Sequence, residues 1–242
     1  MFPPGQSVLL LALAPIAFCA DYQIEANIRY GAYSETVLDV IQSPAPALKN
    51  RPGVIVIHGD EGGKESVIEK FCVPLVQHDF VVANIEYRTA KTAPSPAAFN
   101  DVLKAAQWFR NHADRFKVDQ KVILVMGESS GGQLALLVGM QPASADLGPV
   151  IKIAAVIDFY GSPDAAIGYV RRGLPPILAI HGDADPTVPY DQSVRLTKDL
   201  KAAGDDAELI GVPGGRHGFE PDEMARLWPR IFKWLKKRKI GS

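Results

Sequence analysis

Only two of the 242 residues are cysteine, Cys19 and Cys72, so no disulfide framework can carry the fold and no zinc-ligand spacing is present. Neither sign of charge is in excess: 26 Lys+Arg stand against 27 Asp+Glu, for a net charge of −1. A nucleic-acid binder usually shows a clear basic excess, and an acidic disordered chain shows the opposite bias. Both classes are excluded. Long apolar runs are missing as well. The N-terminal run Val8–Ala20 has thirteen residues, too few for a stable membrane span but suited to the core of a secretory signal sequence. No internal repeat or interdomain linker breaks the chain. What is present is ample hydrophobic material, 47% of residues, enough to bury the core of one α/β domain. The expectation is a signal peptide over residues 1–20, ending at Ala20, and a single domain over 21–242, hence a secreted or periplasmic protein.

From Asp21 onward, strand-like and helix-like segments alternate, as a mostly parallel sheet flanked by helices requires. Strands are expected at Gln23–Arg29, Thr36–Ile41, Gly53–Ile57, Phe80–Tyr87, Lys121–Met126, Ile151–Phe159, Pro176–Ile180 and Glu208–Val212. Helices are expected at Glu65–His78, Pro96–His112, Ser130–Met140, Tyr190–Ala203 and Asp222–Lys237. The run KVILVM at 121–126 has the continuous apolar pattern of a central strand covered on both faces. The basic tail at 236–239 sits where cations oppose a helix C-terminal dipole.

The chemistry centres on Gly127-Glu128-Ser129-Ser130-Gly131-Gly132, a G-x-S-x-G between the KVILVM strand and the next helix. A sharp strand-to-helix turn strains the backbone at the serine and lifts its Oγ above the sheet edge. The flanking glycines keep that turn free of clashes. The competing reading makes Ser129 a helix N-cap and nothing more.

A serine nucleophile needs a base, and five histidines are available. His78 and His112 lie toward helix ends, and His58 and His181 each close a strand, where an imidazole commonly braces a loop. His217 lies in the loop Pro213–Phe219, which can reach across the sheet edge. The base needs a carboxylate that holds its tautomer and stabilises the imidazolium. Asp185, at the turn into a helix, is the first choice, Asp183 the nearer rival and Asp158 a distant third. The order Ser129, Asp185, His217 is that of α/β-hydrolase triads.

These motifs resemble the α/β-hydrolase superfamily, and most of all its bacterial esterases of the BD-FAE and hormone-sensitive-lipase-like type. They are also similar to the catalytic domain of prolyl-oligopeptidase-family enzymes. The resemblance runs from about Asn27 to Trp234. It rests on Tyr30-Gly31 and Leu38-Asp39-Val40, on GESSGGQLA, on Val118-Asp119, and on HGDADPTVP, which matches H-G-x-x-D-x-x-V-P and selects Asp185 over Asp183. It implies an α/β-hydrolase fold, with a mostly parallel eight-stranded sheet. It also implies that the loop after His58 donates one oxyanion-hole N–H and Ser130 the other. Here that loop reads His58-Gly59-Asp60-Glu61-Gly62-Gly63 rather than His-Gly-Gly-Gly, so Asp60 or Glu61 is the first donor, and a carboxylate would stand near the oxyanion unless it turns away.

The activity implied is hydrolysis of short-acyl or aromatic (acetyl or feruloyl) esters through an acyl-enzyme, on a small-molecule or polysaccharide-linked ester. It calls for no metal and no organic cofactor. Two other classes compete. One is a peptidase or acylaminoacyl hydrolase of the prolyl-oligopeptidase type, whose usual N-terminal propeller has no room here. The other is an inactive hydrolase fold used for binding, against which the complete triad argues. Caps in this superfamily usually follow the sixth strand. Gly161 to Leu174 leaves room for one short helix, so little or no cap is expected.

Overall fold

The computed structural model describes residues 16–18, 22–45, 50–146 and 148–241. Apart from Ile16–Phe18, the segment read as a signal peptide lies outside the described residues.

The strands are β1 (Ile16–Phe18), β2 (Gln23–Arg29), β3 (Val37–Gln42), β4 (Arg51–Ile57), β5 (Val81–Ile85), β6 (Val118–Glu128), β7 (Val156–Phe159), β8 (Ile177–Gly182) and β9 (Ala207–Val212). They form one sheet in the order β1-β2-β3-β5-β4-β6-β7-β8-β9. The pairings from β5 through β4 to β9 are parallel, and β1, β2 and β3 add an antiparallel edge. Eight strands overlap those expected from the sequence, and the three-residue β1 is a ninth at the edge. The helices are α1 (Val73–Gln77), α2 (Ala97–Asn111), α3 (Ser130–Met140), α4 (Tyr190–Ala202) and α5 (Pro221–Lys237).

Side chains alternate across a strand, and the central strands use both faces. Ile55 and Ile57 of β4 and Ile123 and Val125 of β6 face the core under α2, α3 and α4, with Phe99, Phe109 and Leu196. Val54 and Val56, with Leu124 and Met126, face the opposite core, closed by Phe71, Leu75, Trp228 and Ile231 under α1 and α5. A continuous apolar run is the consequence of a strand covered on both sides.

Two expected elements differ. Glu65–His78 is not one α-helix: a 3-10 turn (Lys64–Val67) and a π turn (Ile68–Cys72) precede the short α1. Pro74 has no N–H to give the Lys70 carbonyl, so the α pattern cannot run through it. In Ile151–Phe159 the strand is only β7, although Ala154 and Ala155 already bond to β6 and Ile151 and Ile153 are buried. Between Tyr160 and Pro176 a single 3-10 turn, Ile167–Tyr169, is the only helical element, so no cap domain covers the sheet edge here. No helix among the described residues is long and apolar enough to cross a membrane. At the end of α5, Arg238 stacks on Trp234, donates to its carbonyl and pairs with Asp206, so this part of the basic tail is tied to the fold.

Candidate active site

β6, β8 and β9 are parallel, so their C-terminal ends open on one edge of the sheet, the usual place for a ligand in such folds. Ser129 follows β6 with φ 53° and ψ −121°, and α3 begins at the next residue. Only close approach of backbones permits this turn. A Cβ on Gly127 would stand 2.2 Å from the Gly131 carbonyl oxygen, and one on Gly131 would stand 2.3 Å from that of Ile57. The two glycines of the motif are therefore steric requirements.

Ser129 Oγ lies 2.9 Å from His217 Nε2, and His217 Nδ1 lies 2.8 Å from Asp185 Oδ2. The Asp185 side chain is fully buried. Its other oxygen accepts the N–H groups of Thr187 at 2.7 Å and Val188 at 3.0 Å. Burial opposes its charge, but the His217 hydrogen bond and these two N–H groups outweigh burial and hold the carboxyl below its ordinary value. His217 reaches the serine from the β9–α5 loop, where Gly218 takes φ 97°.

The rival acids do other work. Asp183 is exposed and accepts the Gly214 N–H at 2.7 Å, pinning the start of the histidine loop. Asp158 is fully buried behind α3, accepts the Gly161 N–H at 2.9 Å, and has no partner for Oδ2 among the described residues. Burial pushes its carboxyl up to about 8, against the smaller pull of that N–H. His181 braces the acid loop, with Nδ1 2.7 Å from Ser193 Oγ and Nε2 2.9 Å from the Val188 carbonyl. His78 and His112 contact the carbonyls of Pro74 and Trp108, one turn back on their own helices.

The oxyanion loop separates the two open donors. The Asp60 N–H donates to Ser130 Oγ at 2.8 Å. The N–H groups of Glu61 and Ser130 have no partner among the described residues. The Glu61 carboxylate turns outward, 94% exposed and 3.3 Å from Lys91 Nζ. Of the two carboxylates that sequence alone would place near a developing oxyanion, that of Glu61 is thus directed away from it.

A cleft of about 180 Å³ lies over these groups, bounded by Gly59–Gly62, Lys70, Glu128, Ser129, Tyr160 and His217. Lys70 Nζ contacts Glu128 Oε2 at 2.5 Å and Tyr160 Oη at 2.8 Å, and the Tyr160 hydroxyl donates to the same carboxylate. The Tyr160 ring lies 4.9 Å from that of His217. Lys70 also lines a second groove of about 400 Å³, with Pro74, Phe219, Met224 and Trp228. Local spacing in the sequence carries little sign of this wall. Glu128 stands in the variable position of G-x-S-x-G, and that position was the one available signal.

Residues 38–167, more than half of the chain, match the BD-FAE family model, and residues 164–240 match that of the prolyl oligopeptidase family. Esterase LipC of Mycobacterium tuberculosis is 27% identical over 258 residues, covering 86% of this chain and 63% of LipC. The isoprenylcysteine alpha-carbonyl methylesterase of Arabidopsis thaliana is 24% identical over 243 residues, covering 81% of this chain and 56% of its own. The chain thus spans less than two thirds of the length of these relatives. Among solved structures, a truncated carbohydrate esterase from gut microbiota superposes with a TM-score of 0.74 at 25% identity, over 87% of this chain and 95% of that one. Native esterase 2 of Thermogutta terrifontis superposes with a TM-score of 0.73 at 20% identity, over 94% and 93%, a likeness of fold. A Ser–His–Asp line at the carboxyl edge of a parallel sheet, in a chain so matched, has one family assignment: the chain belongs to the BD-FAE family and has the α/β-hydrolase fold.

Proposed function

We propose that the protein is a serine carboxylesterase that works through an acyl-enzyme. The observation that carries this reading is the unbroken line from Ser129 Oγ through His217 to the buried Asp185. Ser129 Oγ attacks the ester carbonyl as its proton passes to His217 Nε2. The tetrahedral oxyanion is met by the Ser130 N–H and by an N–H of the Asp60–Glu61 loop, each worth on the order of 3 kcal/mol of barrier. Collapse breaks the ester C–O bond, and the alcohol leaves with the proton from Nε2. Water then attacks the acyl carbon and gives a proton to Nε2. The acid departs, and Ser129 recovers its proton. Asp185 keeps the imidazole in the required tautomer throughout.

The substrate follows from the cleft. It is shallow and carries no cap over the Tyr160–Pro176 side. A short acyl group fits it. The apolar groove beyond Lys70 offers Phe219, Met224 and Trp228 to an aromatic group. We therefore read the substrates as acetyl-type or aromatic esters. The structural neighbour named as a carbohydrate esterase, and the apolar run at residues 8–20 read as a signal peptide, favour an exported enzyme acting on polysaccharide-linked esters. The match of residues 164–240 to the prolyl oligopeptidase family keeps a peptidase as the second reading.

The deciding experiment compares nitrophenyl acetate with peptide anilides, in the wild type and in Ser129→Ala. Ester turnover should fall on the order of 10⁴- to 10⁶-fold in the variant, and fluorophosphonate labelling should vanish. Anilide turnover exceeding ester turnover would favour the peptidase. Absence of both turnovers and of labelling would favour a binding protein. Export is checked separately, by the mass of protein recovered outside the cytoplasm, expected to begin at Asp21.

A further inference from the structure

His58 closes β4 with its side chain fully buried, and each of its ring nitrogens faces an acceptor. Nδ1 lies 2.7 Å from the Gly59 carbonyl oxygen, and Nε2 lies 3.0 Å from Glu86 Oε1. A carbonyl oxygen has no proton to offer, and an ionised carboxylate has none either. A neutral imidazole would turn a bare nitrogen lone pair against one of those oxygens. The arrangement is satisfied with both nitrogens protonated and Glu86 ionised.

The carboxylate is itself held for that role. Its Oε2 accepts the Lys64 N–H at 3.0 Å. Glu86 thereby grips both ends of the oxyanion loop, His58 at the start and Lys64 at the finish. Lys64 is anchored again through Nζ, 2.7 Å from Asp39 Oδ2, and through its carbonyl, which accepts from Asn84 at 2.6 Å. The Tyr87 ring stacks on His58 at 4.6 Å, and its hydroxyl donates to the His58 carbonyl at 2.8 Å.

The clamp acts through one peptide group. In a trans peptide the C=O and the following N–H point in opposite directions. Pulling the Gly59 carbonyl toward His58 directs the Asp60 N–H the other way, to the N-terminus of α3 and Ser130 Oγ. The geometry points to His58 as a charged positioning residue: an imidazolium that, paired with Glu86, orients the oxyanion loop, so that losing its proton at high pH loosens the loop and slows turnover.

The surrounding charges act in this sense. Glu86 at the end of β5 and Asp60 on the loop itself both favour the imidazolium. Burial opposes it, but these carboxylates and the Gly59 carbonyl prevail and raise His58 above its ordinary value. Glu65 and the Tyr30 hydroxyl stand near Glu86 from the 3-10 turn and the β2 end. Against burial, the His58 contact and the Lys64 N–H keep Glu86 lowered.

The kinetic part of this inference rests on the esterase reading, and the protonation part does not. The full chain, with ¹⁵N-labelled histidine, is titrated by NMR, and the His58 signals are identified by their loss in His58→Asn. Both ring nitrogens of His58 should still be protonated at a pH where free histidine, titrated alongside, has lost its proton. In Glu86→Gln the proton should leave at lower pH. On nitrophenyl acetate, that variant should show an alkaline limb moved down by about one pH unit, with kcat lowered about tenfold and KM within about threefold. Glu86→Asp should restore part of the shift. A His58 that loses its proton at or below the pH at which free histidine does overturns the proposal. So does an alkaline limb shared by wild type and Glu86→Gln. Lack of ester turnover in the wild type would refute the esterase reading, while the NMR titration would still decide the charge on His58.

Discussion

At the scale of single residues, function divides between neighbours that look alike in sequence. Asp183 and Asp185 stand two apart, yet one is exposed and pins Gly214, while the other is buried against His217. Asp185→Asn should lower kcat by up to about 10⁴-fold, because the imidazole loses the acceptor that sets its tautomer. Asp183→Asn should stay within about tenfold of wild type, since it touches only the loop entrance. Steady-state kinetics on one ester suffices, and equal losses would place the orienting role on both acids. Ser130 divides from Ser129 in the same way. Its backbone N–H is the donor that matters, and its hydroxyl accepts the Asp60 N–H. Ser130→Ala should therefore remain within about tenfold of wild type, with the freed Asp60 N–H available to substrate oxygen. A dead Ser130→Ala would move the nucleophile.

At the scale of elements, Asp158 shows how a strand end can depend on pH without taking part in chemistry. Its carboxyl is near 3.8 when unfolded and about 8 in the folded protein. Between those values the folded state holds a proton that the unfolded state has released. Stability therefore falls as pH rises through this window, by up to about 1.4 kcal/mol per pH unit from this group. Asp158→Asn keeps the acceptor for the Gly161 N–H and removes the titration. Urea unfolding at pH 5 and pH 7.5 should show the variant gaining on wild type as pH rises, and a constant difference would mean Asp158 is ionised in the fold. The strands around it were largely legible. Alternation and apolar runs marked β2 to β9, and G-x-S-x-G marked the turn into α3 without ambiguity. The carboxylate of Asp185 was separated from Asp183 by a motif, not by periodicity. What stayed hidden depends on contacts between distant segments. Glu86 meets His58 across 28 positions and Lys70 meets Glu128 across 58. A single chain read for local spacing carries no mark of such pairs. The π turn at Ile68–Cys72 was hidden for another reason, since its apolar spacing resembles that of an ordinary helix.

At the scale of the whole molecule, the open carboxyl edge sets the selectivity expected among esters. Each methylene buried is worth about 0.8 kcal/mol, but a cleft of about 180 Å³ can bury few of them. Along a nitrophenyl ester series, kcat/KM should peak at short acyl chains and should not climb again beyond about ten carbons, where several kcal/mol would need a deeper pocket. A jump in rate at the micellar threshold would reveal a covering segment that the Tyr160–Pro176 connection does not provide. Trp228→Ala should leave acetate turnover near wild type and reduce the advantage of aromatic esters by about tenfold or more, because it removes an aromatic ring lining the groove beyond Lys70. No change for aromatic esters would locate their binding elsewhere.

The order in which the sheet is laid down also sets when the proposed chemistry could begin. After β6, each of β7, β8 and β9 is added outside the last, and the three reacting groups arrive in that same order. The serine leaves the ribosome 88 residues ahead of its histidine. Parallel strands need long connections before they pair, which makes such sheets slow to complete. On the esterase reading, a growing chain therefore carries its serine with no base beside it, and ester turnover should wait for the last strand and helix. In refolding from urea, far-ultraviolet dichroism should recover first and ester turnover last. Simultaneous recovery would mean that the edge and the centre of the sheet close in one step.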